Sequence, residues 1–95
     1  MDVETTERFL DLLGRRVRDR VTGYEGIVES VSWDLYGCIQ AVVRPPVDDK
    51  GAMPDAKWLD VLRLIELAGD RVMEVPGGAF ANYGTPHGPA EKPAR

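Results

Sequence analysis

The sequence predicts a small, mainly β protein: an SH3-like barrel with a short N-terminal helix before it and a flexible tail after it. Three observations predict this class. From residue 15 onward apolar and polar residues alternate with a period of two, turn residues separate short β-rich stretches, and 95 residues hold one domain at most. A chain this short is expected to close its sheet into a barrel, because a barrel leaves no exposed strand edges.

The first predicted element is a helix within residues 1–14. Its apolar side chains recur at helical spacing, and Gly14 stands where a helix would end. About three turns are marginal on their own, so the apolar stripe needs a surface to pack against. Self-association into a homo-oligomer is therefore expected through Phe9, Leu10 and Leu13.

Residues 15–75 are predicted to form the barrel. Strands are expected at 15–21, 27–33 and 38–44, with turns at 22–26 and 34–37 and an exposed loop at 47–55. The stretch 58–67 fits a strand and a helical face equally well on its periodicity. Residues 76–95 contain four Gly and four Pro and few apolar side chains, which predicts a flexible tail.

Composition excludes several classes of protein. The formal net charge of −4 and pI near 4.9 give no long-range attraction for nucleic acid or anionic lipid. Cys38 is the only cysteine, so no internal disulfide can form, and a reducing cytoplasm is expected. The sequence has no signal-peptide pattern and no apolar run of roughly 18 residues, so no membrane partner is expected.

Three motifs together resemble a family. They are V-x-D-x-V-T-G-Y-x-G at 17–26, Y-G-C-I-Q at 36–40 and K-G-x-M-P-D-A-x-W at 50–58. They are similar to small, largely uncharacterised proteins of tailed bacteriophages and prophages, over roughly residues 14–66. The resemblance implies a compact barrel with a strand at Trp58, followed by a helical turn and a closing strand. The first motif also resembles, at the level of fold, the KOW-type β-turn of ribosomal and transcription-elongation proteins.

Aromatic and acidic side chains in two turns indicate a partner-binding surface. The tip of the second hairpin and the loop at 48–54 are expected to form it together, as SH3-like grooves do with peptides. Trp58 is expected in the core and Cys38 as a buried structural thiol, because a small domain needs its apolar side chains inside. The predicted partner-binding residues are Tyr24, Trp33, Asp34, Tyr36, Asp48, Asp49 and Met53.

A row of arginines supports an alternative. Arg16, Arg18 and Arg20 would align on one strand face and could contact the phosphates of a nucleic acid or nucleotide. Arg44 and Arg63 could extend the patch. The same row also fits a solvated face paired with some of the 16 acidic residues.

No motif for catalysis is present. The only histidine, His87, lies in the predicted tail, far in sequence from Cys38, and no phosphate-binding loop occurs. Asp48, Asp49 and Asp55 lack the order of a calcium loop, so neither a metal nor a cofactor is expected. The residues predict a non-enzymatic binding module, and the family resemblance implies a phage or prophage setting, which includes counter-defence proteins acting on a host component.

The expected partner of this module is a host or phage protein, and the expected location is the cytoplasm of an infected or lysogenic bacterium. A further alternative is a minor virion component, with the Gly/Pro-rich tail as a tether.

Overall fold

A computed structural model describes residues 3–74 of the chain. Within this range the chain forms a short helix, five strands and a 3-10 helix. The helix α1 spans Val3–Leu10, and the 3-10 helix spans Val61–Arg63. The strands are β1 Arg16–Asp19, β2 Glu25–Trp33, β3 Ile39–Arg44, β4 Lys57–Asp60 and β5 Leu64–Glu66.

The five strands form one antiparallel sheet in the order β4-β3-β2-β1-β5. The predicted class, mainly β with a short N-terminal helix, is confirmed. The closed barrel is wrong: β4 and β5 follow one another through the 3-10 helix, yet no hydrogen-bonded ladder joins them within residues 3–74. Four-residue β4 and three-residue β5 therefore remain the two edges of the sheet.

The predicted boundaries need small corrections. The helix ends at Leu10, earlier than predicted, and turns follow it up to Gly14, whose φ of 81° suits glycine. The ambiguous stretch after residue 57 is a strand, a helical turn and a strand, as the family resemblance implies. The predicted tail, residues 76–95, lies outside the described residues.

Small β-branched residues fill most of the core. Val17, Val28 and Val43 have no more than 1% of their surface exposed, and they come from three neighbouring strands. Phe9 of α1 is also buried in this cluster. The helix thus places its largest apolar side chain on its own sheet, which leaves Phe9 little surface for self-association; assembly through the helix stays a prediction.

Trp58 lies outside the core, contrary to prediction, with 56% of its surface exposed. Its cross-strand partner is Val42, and the two residues share the outer face of the sheet. The next residue, Leu59, pairs with the fully buried Ala41 and packs on the core. Neighbouring side chains of a strand point to opposite faces of the sheet. Here Leu59, the smaller of the two, faces the core, and Trp58 faces outward.

An ion pair between a buried carboxylate and a partly exposed guanidinium links β1 to the 3-10 helix. Asp19, at the end of β1, is fully buried, and its carboxylate accepts hydrogen bonds from Nε (2.9 Å) and Nη2 (2.5 Å) of Arg63. The Thr22 hydroxyl donates to the same carboxylate at 2.6 Å, and the backbone N–H of Val21 donates at 3.1 Å. These four donors hold the pKa of Asp19 far below its ordinary range, the guanidinium of Arg63 contributing most.

Removing the Asp19 carboxylate is expected to destabilise the fold strongly, since it removes the buried acceptor that Arg63, Thr22 and Val21 share. We expect Asp19→Ala to lower the thermal unfolding midpoint by at least roughly 10 °C. Asp49→Ala, which changes an exposed aspartate, should shift it by only a few degrees. Circular dichroism melts of both variants test this expectation.

The Asp19 carboxylate also makes the stability of the fold depend on pH. Its pKa is lower in the folded state than its ordinary value of 3.8, so its contribution is present above about pH 4 and is lost as pH falls further. Asp19→Asn should therefore flatten the acid limb of the stability curve. An unchanged acid limb in urea melts from pH 6 to 2.5 would contradict this assignment.

Two glycines, Gly23 before β2 and Gly26 within it, respond differently to a methyl group. A Cβ on Gly26 would lie 2.3 Å from the carbonyl oxygen of Arg44, a backbone atom in the neighbouring strand that cannot move aside. A Cβ on Gly23 would meet nothing within 4 Å, although its φ of 81° adds strain. We expect Gly26→Ala to abolish the cooperative unfolding transition and Gly23→Ala to cost about 1 kcal/mol. Chemical denaturation measures both.

Candidate functional site

The turn between β2 and β3, residues 34–38, is here called the hairpin tip. Asp34 holds it together: its Oδ1 accepts hydrogen bonds from the backbone N–H groups of Tyr36 and Cys38, both at 2.9 Å. The backbone of Asp34 also bonds to Cys38 and Gly37. Gly37 has a φ of 87°, which a residue with a Cβ rarely adopts. The tip is therefore a locked turn.

The locked turn displays two large apolar side chains to solvent. Leu35 is 88% exposed and Tyr36 is 85% exposed. Exposure of a single apolar residue is ordinary, but two neighbours at a rigid tip are typical of a contact surface. The prediction named Tyr36 and missed Leu35. The signal for Leu35 was its position between an Asp and a Gly three residues apart in a D-x-x-G turn.

Acidic groups surround the thiol at the base of the tip. Cys38 is exposed, so the prediction of a buried structural cysteine is wrong. The carboxylate of Asp34 raises the pKa of the Cys38 thiol, desolvation adds to the effect, and the charge of Asp60 acts in the same direction. The thiol is consequently a poor nucleophile at neutral pH.

Trp33 precedes the tip and lies partly inside the protein. It pairs with Ile39 across β2 and β3, and its ring packs against the core. Trp33, a predicted binding residue, therefore offers a partner only the part of its side chain that is exposed. The apolar surface of the tip thus consists of Leu35 and Tyr36.

The predicted loop at 48–54 uses the same turn as the tip. Asp48 Oδ1 accepts the N–H of Lys50 at 2.8 Å and that of Ala52 at 2.9 Å, and Gly51 has a φ of 79°. The carboxylate of Asp48 is therefore occupied in shaping its own loop. Asp49 and Met53 are exposed.

The two predicted halves of the binding surface do not meet through β3. The hairpin tip leads into Ile39, whereas the loop leaves from Arg44, and these ends are roughly 17 Å apart along an extended strand. Tyr24 belongs to the loop end, because its hydroxyl donates to the carbonyl oxygen of Val43 at 3.2 Å. The single surface predicted from sequence is thus two separate regions.

The predicted arginine row is interleaved with carboxylates. Arg18 forms an ion pair with Glu25 at 3.4 Å, and Arg44 forms one with Glu29 at 3.2 Å. Arg20 follows the end of β1 instead of lying on it. Arg63, expected to extend the patch, binds Asp19 instead.

Register nevertheless brings two of these arginines near each other. Arg16 pairs with Ile27, and Ile27 pairs with Arg44, so the three lie in one cross-strand row. Both guanidinium groups border a shallow pocket that Glu25 also lines. The charges at this pocket are mixed rather than uniformly positive.

Comparisons with known protein families, with characterised proteins and with solved structures find no match to this chain. Among residues 3–74, no helix is long and apolar enough to span a membrane. The described residues also contain no group of three or more His, Cys, Asp or Glu side chains arranged to hold a metal ion.

The effect of Asp34 on the thiol can be measured directly. Asp34→Asn removes the charge that contributes most to raising the pKa of Cys38, so that pKa should fall and alkylation near pH 8 should accelerate several-fold. Iodoacetamide labelling from pH 6 to 10 gives the midpoint. Asp48→Asn makes the equivalent change in the other loop, and it should leave the midpoint where it is.

Proposed function

We propose that this chain is a non-enzymatic protein-binding module whose hairpin tip inserts Leu35 and Tyr36 into a partner protein. The observation that carries the proposal is the exposure of these two side chains, 88% and 85%, on a turn locked by Asp34. Burying a large apolar side chain contributes about 1.5–3 kcal/mol. A preorganised turn avoids most of the cost of ordering a loop on binding.

The chemistry around the tip defines the partner's surface. Asp34 lies within the tip, and Asp60 pairs with Gln40 just after it, so negative charge lies at this end of the sheet. The best complement is an apolar pocket with basic residues at its rim. The same negative charge would repel the phosphates of nucleic acid at this end of the molecule.

The phage resemblance adds a biological setting to the proposal. The module would act as an accessory protein of a phage or prophage, occupying a surface of a host or phage protein without chemical turnover. Counter-defence, in which a host component is inhibited or sequestered, is one such role. Nucleic-acid binding through Arg16, Arg18, Arg20 and Arg44 is less well supported, because Glu25 and Glu29 neutralise two of these arginines.

Site-specific photo-crosslinking tests the proposal. Benzoylphenylalanine replaces Tyr36 in the full chain, and the protein is irradiated in bacterial lysate. We expect one discrete protein adduct that persists in about 1 M salt, because salt screens charges and leaves an apolar contact intact. The matched control replaces Trp58, which is also exposed but lies on the sheet face.

Leu35→Ser in the Tyr36-labelled protein should abolish the adduct while leaving the circular dichroism spectrum unchanged. Equal adducts from positions 36 and 58 would contradict a specific tip. An adduct that disappears with nuclease or with salt would overturn the protein-binding proposal in favour of the arginine surface.

A further inference from the structure

An apolar groove of about 450 Å³ lies near the start of β2 and the end of β3, away from the hairpin tip. Ile27 of β2 lines it together with Leu13, which follows α1. Its outer wall is the segment 72–74, through Val72 and Met73. This volume falls within the range of ordinary ligand pockets, roughly 300–1,000 Å³.

The outer wall is held firmly in place. The backbone N–H of Val72 donates to the carbonyl oxygen of Gly14 at 2.9 Å. Arg71 donates from Nε to the Leu13 carbonyl oxygen at 2.9 Å, and its guanidinium also contacts Asp11. The segment is thus anchored to the turn after α1, and the groove is a defined feature of the fold.

Apolar side chains around the groove remain open to solvent. Val72 and Met73 are exposed, although each lies beside apolar neighbours in the groove. Three charged residues line the groove: Arg44 and Glu29 bind one another at 3.2 Å, and Glu74 is exposed at the outer wall. An apolar occupant would therefore leave the ion pair between Arg44 and Glu29 intact.

We propose that this groove is a docking site for the chain's own C-terminal segment, residues 75–95, with Phe80 as the anchor. The wall of the groove consists of the last described residues, so the segment begins at the groove itself. Phe80 is the first aromatic residue after this wall. Its ring supplies the apolar area that the groove leaves uncovered.

Chain length and sequence permit this contact. Phe80 lies six positions after Glu74, and an extended stretch of that length reaches roughly 20 Å. Pro76, Gly77 and Gly78 lie between them and favour a reversal of chain direction. Phe80 can therefore return to the groove from its own wall.

Tethering favours this occupant over a second copy. A connection of only a few residues gives an effective concentration of about a millimolar, so even a weak apolar contact is populated within one molecule. Another copy would need to reach a similar concentration to compete. The inference is independent of the proposed function, because the groove contains none of residues 34–38.

Paramagnetic relaxation in the full chain tests the docking. A nitroxide is attached at position 81 by Ala81→Cys in a Cys38→Ser background, and methyl signals are recorded. We expect the Ile27 and Leu13 methyl groups to relax at least several-fold faster than those of Leu35. Phe80→Ser should remove this difference, whereas His87→Ser, further along the segment, should retain it.

A sample mixing spin-labelled unenriched protein with isotope-enriched unlabelled protein separates the two occupants. No enhanced relaxation at Ile27 is expected in the mixture, since docking is within one molecule. Equal enhancement in the mixture would assign the groove to a second copy and overturn the proposal. Enhancement that survives Phe80→Ser would overturn it as well.

Discussion

The buried carboxylate of Asp19 is the interaction on which the remaining architecture depends. It sits at the end of β1, receives Arg63 from 44 residues away, and binds the Thr22 hydroxyl in the turn that leads to β2. A buried charge is tolerable only when its hydrogen bonds are satisfied, and here four donors satisfy it. The Asp19 carboxylate thus holds both the turn after β1, through Thr22, and the residue that precedes β5, Arg63. It does so although β4 and β5 share no ladder.

A second constraint is the size of the core. Valines and an alanine occupy its fully buried positions, and the small residues leave little volume for a tryptophan. Trp58 consequently lies on the outer face, while Leu35 and Tyr36 lie on the hairpin tip. The apolar surface available for recognition is thus a direct consequence of a compact, valine-rich interior.

The two aspartate-glycine turns show how the chain makes rigid loops without regular structure. Asp34 with Gly37, and Asp48 with Gly51, use the same hydrogen bonds to the second and fourth following residues. Rigid turns suit a module that presents a preformed shape to its partner. The carboxylates that the prediction treated as contacts for a partner are occupied within their own turns.

Local features of the sequence determined the class of fold, the short helix, the first three strands and the turns between them, because periodicity and glycine placement act over a few residues. The strand, helical turn and strand after residue 57 rested instead on the family resemblance. Tertiary structure alone decided which face of each strand is buried, and so placed Trp58 and Cys38 outside. It also decided that Arg63 reaches Asp19 and that the tip and the loop at 48–54 lie at opposite ends of β3. These outcomes depend on pairing between residues distant in sequence. The alternation of apolar and polar residues along one strand does not specify which strand it pairs with or which of its faces is buried.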